Sequence, residues 1–120
     1  MALFTKSIQA TPSEQDGLRI CIMRRPGENE DWDLWVPKLS PSHELLNAYK
    51  YEGLTWQDFQ PRFQKEVIEA QSDLLKLVVE IAQTRNVTLL CWEETPDQCH
   101  RSLIAQECQK LDPELSVTIQ

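Results

Sequence analysis

Apolar and polar positions along the chain alternate with two different periods, and the period changes mark the elements. Leu18–Met23 (L-R-I-C-I-M) sets Ile20 and Ile22 on one face and Cys21 and Met23 on the other. Both faces are apolar, as in an interior strand covered on both sides. Val87–Trp92 (V-T-L-L-C-W) is almost wholly apolar and predicts a central strand. Leu115, Val117 and Ile119 alternate with Ser116 and Thr118, predicting a last strand with one wet face. Leu3–Ile8 alternates weakly, and its pattern fits a first strand or an ordered N-terminal arm.

Helical spacing fills the ground between these strands. Ser40 offers an N-cap with Pro41 at the first helical position, predicting a short helix through about Tyr49 that Gly53 interrupts. Thr55 caps the next helix, in which Trp56, Phe59, Phe63 and Val67 form one apolar stripe. An unbroken helix from Trp56 to Thr84 would be about 43 Å long. That length overhangs a domain of this size, so a break is expected at Gln71-Ser72, with Ser72 capping a second helix that carries Leu74, Leu75, Val78, Ile81 and Ala82 to a stop at Asn86. In Thr95-Pro96-Asp97-Gln98 the residues suit an N-cap, a first-turn proline and a reciprocal capping glutamine. They predict a helix through about Leu111, ended by Asp112-Pro113.

Strand, helices, strand, helix, strand is the order of an α/β protein with parallel strands and helical crossovers. The expectation is one domain over residues 1–120, with a three- or four-stranded, mostly parallel sheet covered by helices in a Rossmann-like three-layer arrangement. A chain of 120 residues buries roughly two-thirds of its unfolded surface, enough for a core without staples.

Charge and cysteine usage narrow the function. Twelve basic against 19 acidic residues leave a net charge of −7, a field that repels phosphate backbones and argues against non-specific nucleic-acid binding. No apolar run approaches the roughly 20 residues that span a bilayer, and the Met-Ala-Leu-Phe-Thr-Lys start lacks the features of a secretory signal. Cys21, Cys91, Cys99 and Cys108 could make two disulfides, but three of them fall inside predicted elements. Without an export signal, reduced thiols in a cytoplasmic protein are expected, with no membrane partner.

Open parallel sheets bind ligands at the carboxyl ends of their strands. One such end presents Arg24 and Arg25. The other presents Cys91, Trp92 and Glu93, then a loop, then Cys99, His100 and Arg101 in the first turns of a helix. The segment Val87–Ala105, in which an apolar strand ends in Cys, an acidic loop follows and Cys-His-Arg opens a helix, resembles the C-terminal signature of the domain-of-unknown-function 488 family. Asp16-Gly17-Leu18-Arg19-Ile20 is similar to that family's Asp-Gly lead-in to a strand, and Asp33–Ser42 to its Trp-x-x-x-Leu-x-Pro-Ser segment. Two departures stand out. Met23-Arg24 replaces the Asp-Arg of many members, and the Gly-His-Ser opening is missing. The resemblance implies an α/β fold and a site at the Cys-His-Arg end, and it brings no activity with it.

Each candidate has a functional and a structural reading. Cys91 at a strand end facing a helix start suits a thiolate nucleophile. Against that, Glu93, Glu94 and Asp97 crowd the loop and disfavour a thiolate, so inert packing is the alternative. Cys91, Cys99 and His100 could ligate zinc. Neighbouring residues on a helix point about 100° apart, however, so no metal and no cofactor are expected. His100 is an acid–base candidate with Glu93 to orient it, or a surface histidine. His43 is expected to be solvated. Arg24 and Arg101 could clamp an anion, or pair with the loop carboxylates. Of the tryptophans, Trp32 is the candidate lid, whereas Trp35 and Trp56 sit in core patterns. The leading expectation is a small-molecule pocket for an anionic, phosphoryl- or nucleotide-like ligand, with Cys91, Glu93 and His100 as reacting groups and Arg24, Trp32 and Arg101 as binding groups. The alternative is a non-catalytic module for a protein partner, its Cys-His-Arg block a buried hydrogen-bond network. No Walker A loop, G-x-G-x-x-G or nucleophile elbow is present.

Overall fold

The computed structural model describes residues 1–120. Its strands are β1 (Ala2–Ser7), β2 (Leu18–Cys21), β3 (Leu34–Trp35), β4 (Val87–Cys91) and β5 (Ser116–Ile119). They form one sheet in the order β3-β2-β4-β1-β5, with every pairing parallel. The α/β class and parallel sheet match the expectation, with five strands in place of three or four. The weakly patterned N-terminus is the extra interior strand. Leu3 pairs with Val87 on one side and Val117 on the other, and Leu3 and Thr5 are fully buried. The two-residue β3 has both side chains exposed, so no burial period marks it in the sequence.

The helices are α1 (His43–Tyr51), α2 (Trp56–Phe63), α3 (Ser72–Ala82) and α4 (His100–Leu111). All four contribute to a single apolar cluster on the sheet face that carries Leu3, Ile20, Val87 and Leu89. The opposite face is thinner. Ile8, Cys21 and Leu90 form a small cluster there, covered by Met23 and Trp32. The three layers are therefore unequal.

Local chemistry explains where the elements begin. Residues Pro37–Leu39 form a 3-10 turn closed by the Ser40 amide, 3.0 Å from the Pro37 carbonyl. That use of Ser40 moves the cap of α1 to Ser42, whose hydroxyl accepts from the Leu45 amide at 3.1 Å. Thr55 caps α2 as expected, accepting from the Asp58 amide at 3.1 Å. Between α2 and α3 the chain forms a π-helical segment, Gln64–Glu69. The wider turn buries both Val67 and Ile68, and the helix path breaks at Gln71, which holds the N-cap position of α3 ahead of Ser72.

Gly17 lets β2 start against the loop before β4. Its φ of +62° and ψ of −130° suit glycine, and a Cβ there would lie 2.0 Å from the Asn86 carbonyl oxygen. Beside it, Asp16 ties three strands together. Its carboxylate takes hydrogen bonds from Lys6 on β1 and from Arg19 on β2, while its carbonyl accepts from Thr88 on β4 at 2.8 Å. Burial pushes the Asp16 carboxyl up, but hydrogen bonds from the Ser13 amide, Lys6 and Arg19, with the charge of Lys6, outweigh it and hold the group below the usual range. A carboxyl depressed in the folded state stabilises above its unfolded pKa, and that contribution disappears as pH falls through the folded value. Urea denaturation from pH 7 down to pH 2 should therefore show wild-type stability falling below about pH 4, and Asp16→Asn should flatten that fall while lowering stability at pH 7.

Candidate functional site

The carboxyl ends of β2 and β4 lie side by side, and the loops leaving them form the walls of a cleft of about 320 Å³. Arg24 and Arg25, just past β2, form one rim. The α1 helix supplies His43, Leu46 and Lys50, three residues spaced on one helical stripe, as the facing rim. Met23, Pro41 and Trp92 complete the walls, and the floor is Cys91, Glu93 and His100.

The floor exists because α4 begins later than its sequence suggests. Thr95–Gln98 does not open the helix. Gln98 takes a left-handed backbone, φ 56°, and its side-chain oxygen accepts from the Tyr49 hydroxyl at 2.8 Å. Cys99 follows in extended geometry at the N-cap position, and the helix starts at His100. The 100° divergence expected of two helical neighbours does not apply, because Cys99 is not helical. Both side chains turn toward Cys91, and the ligating atoms of Cys91, Cys99 and His100 all lie within 4.8 Å of one another.

Hydrogen bonds fix each member. The His100 Nε2 lies 2.7 Å from the Ile22 carbonyl oxygen. A carbonyl only accepts, so Nε2 carries the proton, and in the neutral ring Nδ1 is left with a lone pair. Nδ1 lies 3.6 Å from the Cys91 sulfur. The Phe63 ring packs against the imidazole at a centroid distance of 5.8 Å. Thus Ile22, and not Glu93, orients His100. The Glu93 Oε2 instead accepts from both thiols, Cys91 at 3.2 Å and Cys99 at 3.3 Å. Burial raises the Glu93 carboxyl, but the Cys91 thiol, its own backbone N–H, the Cys99 thiol and the nearby His100 more than offset it and leave it lowered. The Cys91 sulfur, followed by burial, drives the Cys99 thiol far above its usual range.

A model of the active DUF488-N3 subclade matches residues 3–111. The chain belongs to the DUF488 family. No curated protein and no solved structure matches it. The match covers every strand of the DUF488 domain except β5, and with them both walls and the floor of the cleft.

Four of the six expected site residues, Arg24, Cys91, Glu93 and His100, meet at this cleft. Trp32 and Arg101 do not. Trp32 packs against the small cluster on the far face of the sheet, and Trp92, half exposed, occupies the wall in its stead. Arg101 is fully buried behind the floor. It donates to the Glu93 carbonyl at 2.7 Å, the Gln120 carbonyl at 3.1 Å and the Cys99 sulfur at 3.4 Å, while its Nε has no partner. The alternative reading, pairing with the loop carboxylates, is not what Arg101 does, because the guanidinium reaches the backbone of the loop and not its acids. Lys50 and His43, which was expected to be solvated, join the rim without having been expected there, and Arg25 joins Arg24 at the end of β2. The spacing of His43, Leu46 and Lys50, a stripe next to the buried Leu45, is the signal that could have revealed that rim.

Arg101 therefore holds the loop after β4 and the C-terminus in place from inside. Replacing it by Met leaves the part-buried Glu93 carbonyl without its side-chain donor, a loss worth about 1–3 kcal/mol, while the Gln120 carbonyl keeps the Thr5 hydroxyl at 3.2 Å. Urea denaturation should find Arg101→Met destabilised by about 1–3 kcal/mol, and the rim variant Arg24→Met within about 0.5 kcal/mol of wild type.

Proposed function

We propose that the cleft binds a small anionic ligand of phosphoryl or nucleotide-like type, with Cys91 and His100 as the reactive end of the pocket. The observation that carries this reading is the placement of charge. In a chain of net charge −7, three of the 12 Lys and Arg residues, Arg24, Arg25 and Lys50, surround one opening, with His43 beside them. Concave walls of low dielectric focus such a field on whatever enters. Glu93 is the acid among the lining residues, and its Oε2 is already engaged by two thiols.

The rim divides the work. Arg24 and Arg25 present planar guanidinium groups suited to two-point contact with phosphate or carboxylate, and Lys50 offers a point charge across the gap. Met23, Leu46 and Trp92 give an apolar wall for an attached ring or chain. At the floor, the unprotonated His100 Nδ1 beside the Cys91 thiol can hold or pass a proton. The matching subclade is an active one, which supports a reactive floor over a purely structural one.

Thermal unfolding in the presence of inorganic phosphate or nucleoside phosphates, at constant ionic strength, tests the proposal. Saturating ligand at about 100 times Kd adds about 2.7 kcal/mol, which moves the midpoint by roughly 8–14 °C at about 3–5 °C per kcal/mol for a chain of this length. The shift should saturate in wild type and shrink sharply in Arg24→Ala, whose ligand-free midpoint should stay near that of wild type. A midpoint that does not respond to any of these anions would reject the reading.

A further inference from the structure

The floor of the cleft has donor chemistry that goes beyond the proton handling assigned above to Cys91 and His100. Cys91, Cys99 and His100 are buried, and their ligating atoms lie within 4.8 Å of one another. Glu93 Oε2 sits against both sulfurs, at 3.2 and 3.3 Å. We propose that Cys91 Sγ, Cys99 Sγ and His100 Nδ1, with Glu93 Oε2 at the fourth corner, form a binding site for one zinc-type transition-metal dication.

Zinc takes sulfur at about 2.3 Å, nitrogen at about 2.0–2.1 Å and carboxylate oxygen at about 2.0–2.2 Å in tetrahedral geometry. Adjacent donors around such an ion are then about 3.4–3.8 Å apart. The Cys91–His100 separation of 3.6 Å already falls in that range. The two sulfur–carboxylate separations need to open by a few tenths of an ångström on the same scale. The set, two thiolates with an imidazole and one carboxylate, is that of zinc and not of magnesium or calcium, which take oxygen.

The surroundings complete the case. A ligating imidazole usually donates its other N–H to a carbonyl or carboxylate, which fixes the ring and its tautomer. His100 does so through Nε2 to the Ile22 carbonyl, which leaves Nδ1 free as a donor atom, and the Cys91 sulfur lies 3.6 Å from Nδ1 and 3.8 Å from Nε2. Charge also balances. Two thiolates and a carboxylate carry three negative charges, against two on the ion and one on Arg101, whose guanidinium contacts the Cys99 sulfur at 3.4 Å. That arginine is fully buried and makes no ion pair of its own, so the metal-bound thiolates would supply the counter-charge it lacks. The fold explains how two neighbours in the chain share one ion, since Cys99 is extended and only His100 is helical.

The site is open on one side. Cys91, Glu93 and His100 face the cleft, and Cys99 faces a small cavity beneath Tyr49 and Phe59. An ion held there would meet a ligand in the cleft through the Glu93 corner, as a Lewis acid next to the cationic rim. The metal site does not depend on the anion reading, but together the two place an electrophilic centre within reach of a bound anion.

Cobalt(II) titration of the full-length protein, kept reduced with a non-chelating reductant, tests the site. The expected result is one cobalt per chain, with a thiolate-to-cobalt charge-transfer band and the intense visible bands of tetrahedral cobalt, all abolished by one equivalent of zinc. Cys99→Ser should lose the charge-transfer intensity contributed by that sulfur and bind more weakly. Cys108→Ser, a buried cysteine outside the cluster, should keep the wild-type spectrum. Absence of these bands in reduced wild type, or bands unchanged in both Cys99→Ser and Cys91→Ser, would overturn the site without any question of misfolding. Arg24→Ala separates the two proposals, since it should keep the cobalt spectrum and lose the phosphate response. Cobalt bands in a protein deaf to phosphate would sink the anion reading alone, and a phosphate response without cobalt bands would sink the metal site alone.

Discussion

The hydrogen bond from His100 Nε2 to the Ile22 carbonyl is the contact on which the cleft depends. It joins the end of β2, with Met23, Arg24 and Arg25 just beyond, to the start of α4. The same bond decides which imidazole nitrogen carries the proton and which keeps its lone pair beside Cys91, whose sulfur lies 3.6 Å from Nδ1 and 3.8 Å from Nε2. Arg101, one residue on, works from the other side of the backbone, drawing the Glu93 carbonyl and the C-terminal Gln120 carbonyl onto one buried guanidinium. One helix start thus carries a ring turned toward the cleft and a cation turned into the core. His100 satisfies the Ile22 carbonyl and Arg101 the Glu93 carbonyl, while the Gln120 carbonyl is shared between Arg101 and the Thr5 hydroxyl.

Much of the fold was legible because burial writes a period into the chain. All five residues of β4 are buried, and an apolar run bounded by polar loops has few other interpretations. The stripe of α2 and the break at Gln71 followed from spacing and length. What stayed hidden was local backbone geometry. Gln98 adopts a left-handed conformation that nothing in Thr95-Pro96-Asp97-Gln98 announces, and the helix starts at His100, four residues after the Pro96 start that the capping pattern suggested. That one error made Cys99 and His100 look divergent when they converge. β3 was hidden for the opposite reason, being short and exposed.

At the site the residue types were readable and their directions were not. Arg24, Cys91, Glu93 and His100 came from the general rule that parallel sheets work at their strand ends. Arg101 has the same sequence credentials as Arg24 but points inward, since one lies on a helix turned to the core and the other in an exposed loop. Trp32 and Trp92 exchange roles likewise. A composition of −7 argued against polyanion binding, yet it hid a rim where positive charge is concentrated by folding from two separate segments, residues 24–25 and Lys50.

The most direct check of this arrangement is the tautomer of His100, read from a long-range ¹H–¹⁵N correlation spectrum of the folded protein at mildly alkaline pH. The two ring nitrogens should resolve as a protonated Nε2 and an unprotonated Nδ1, with the Nε2 proton shifted by its hydrogen bond to Ile22 and the pattern unchanged in Cys108→Ser. A ring protonated on Nδ1, or one averaging rapidly between tautomers, would mean that Ile22 does not hold His100 and that the cleft floor is not the assembly described.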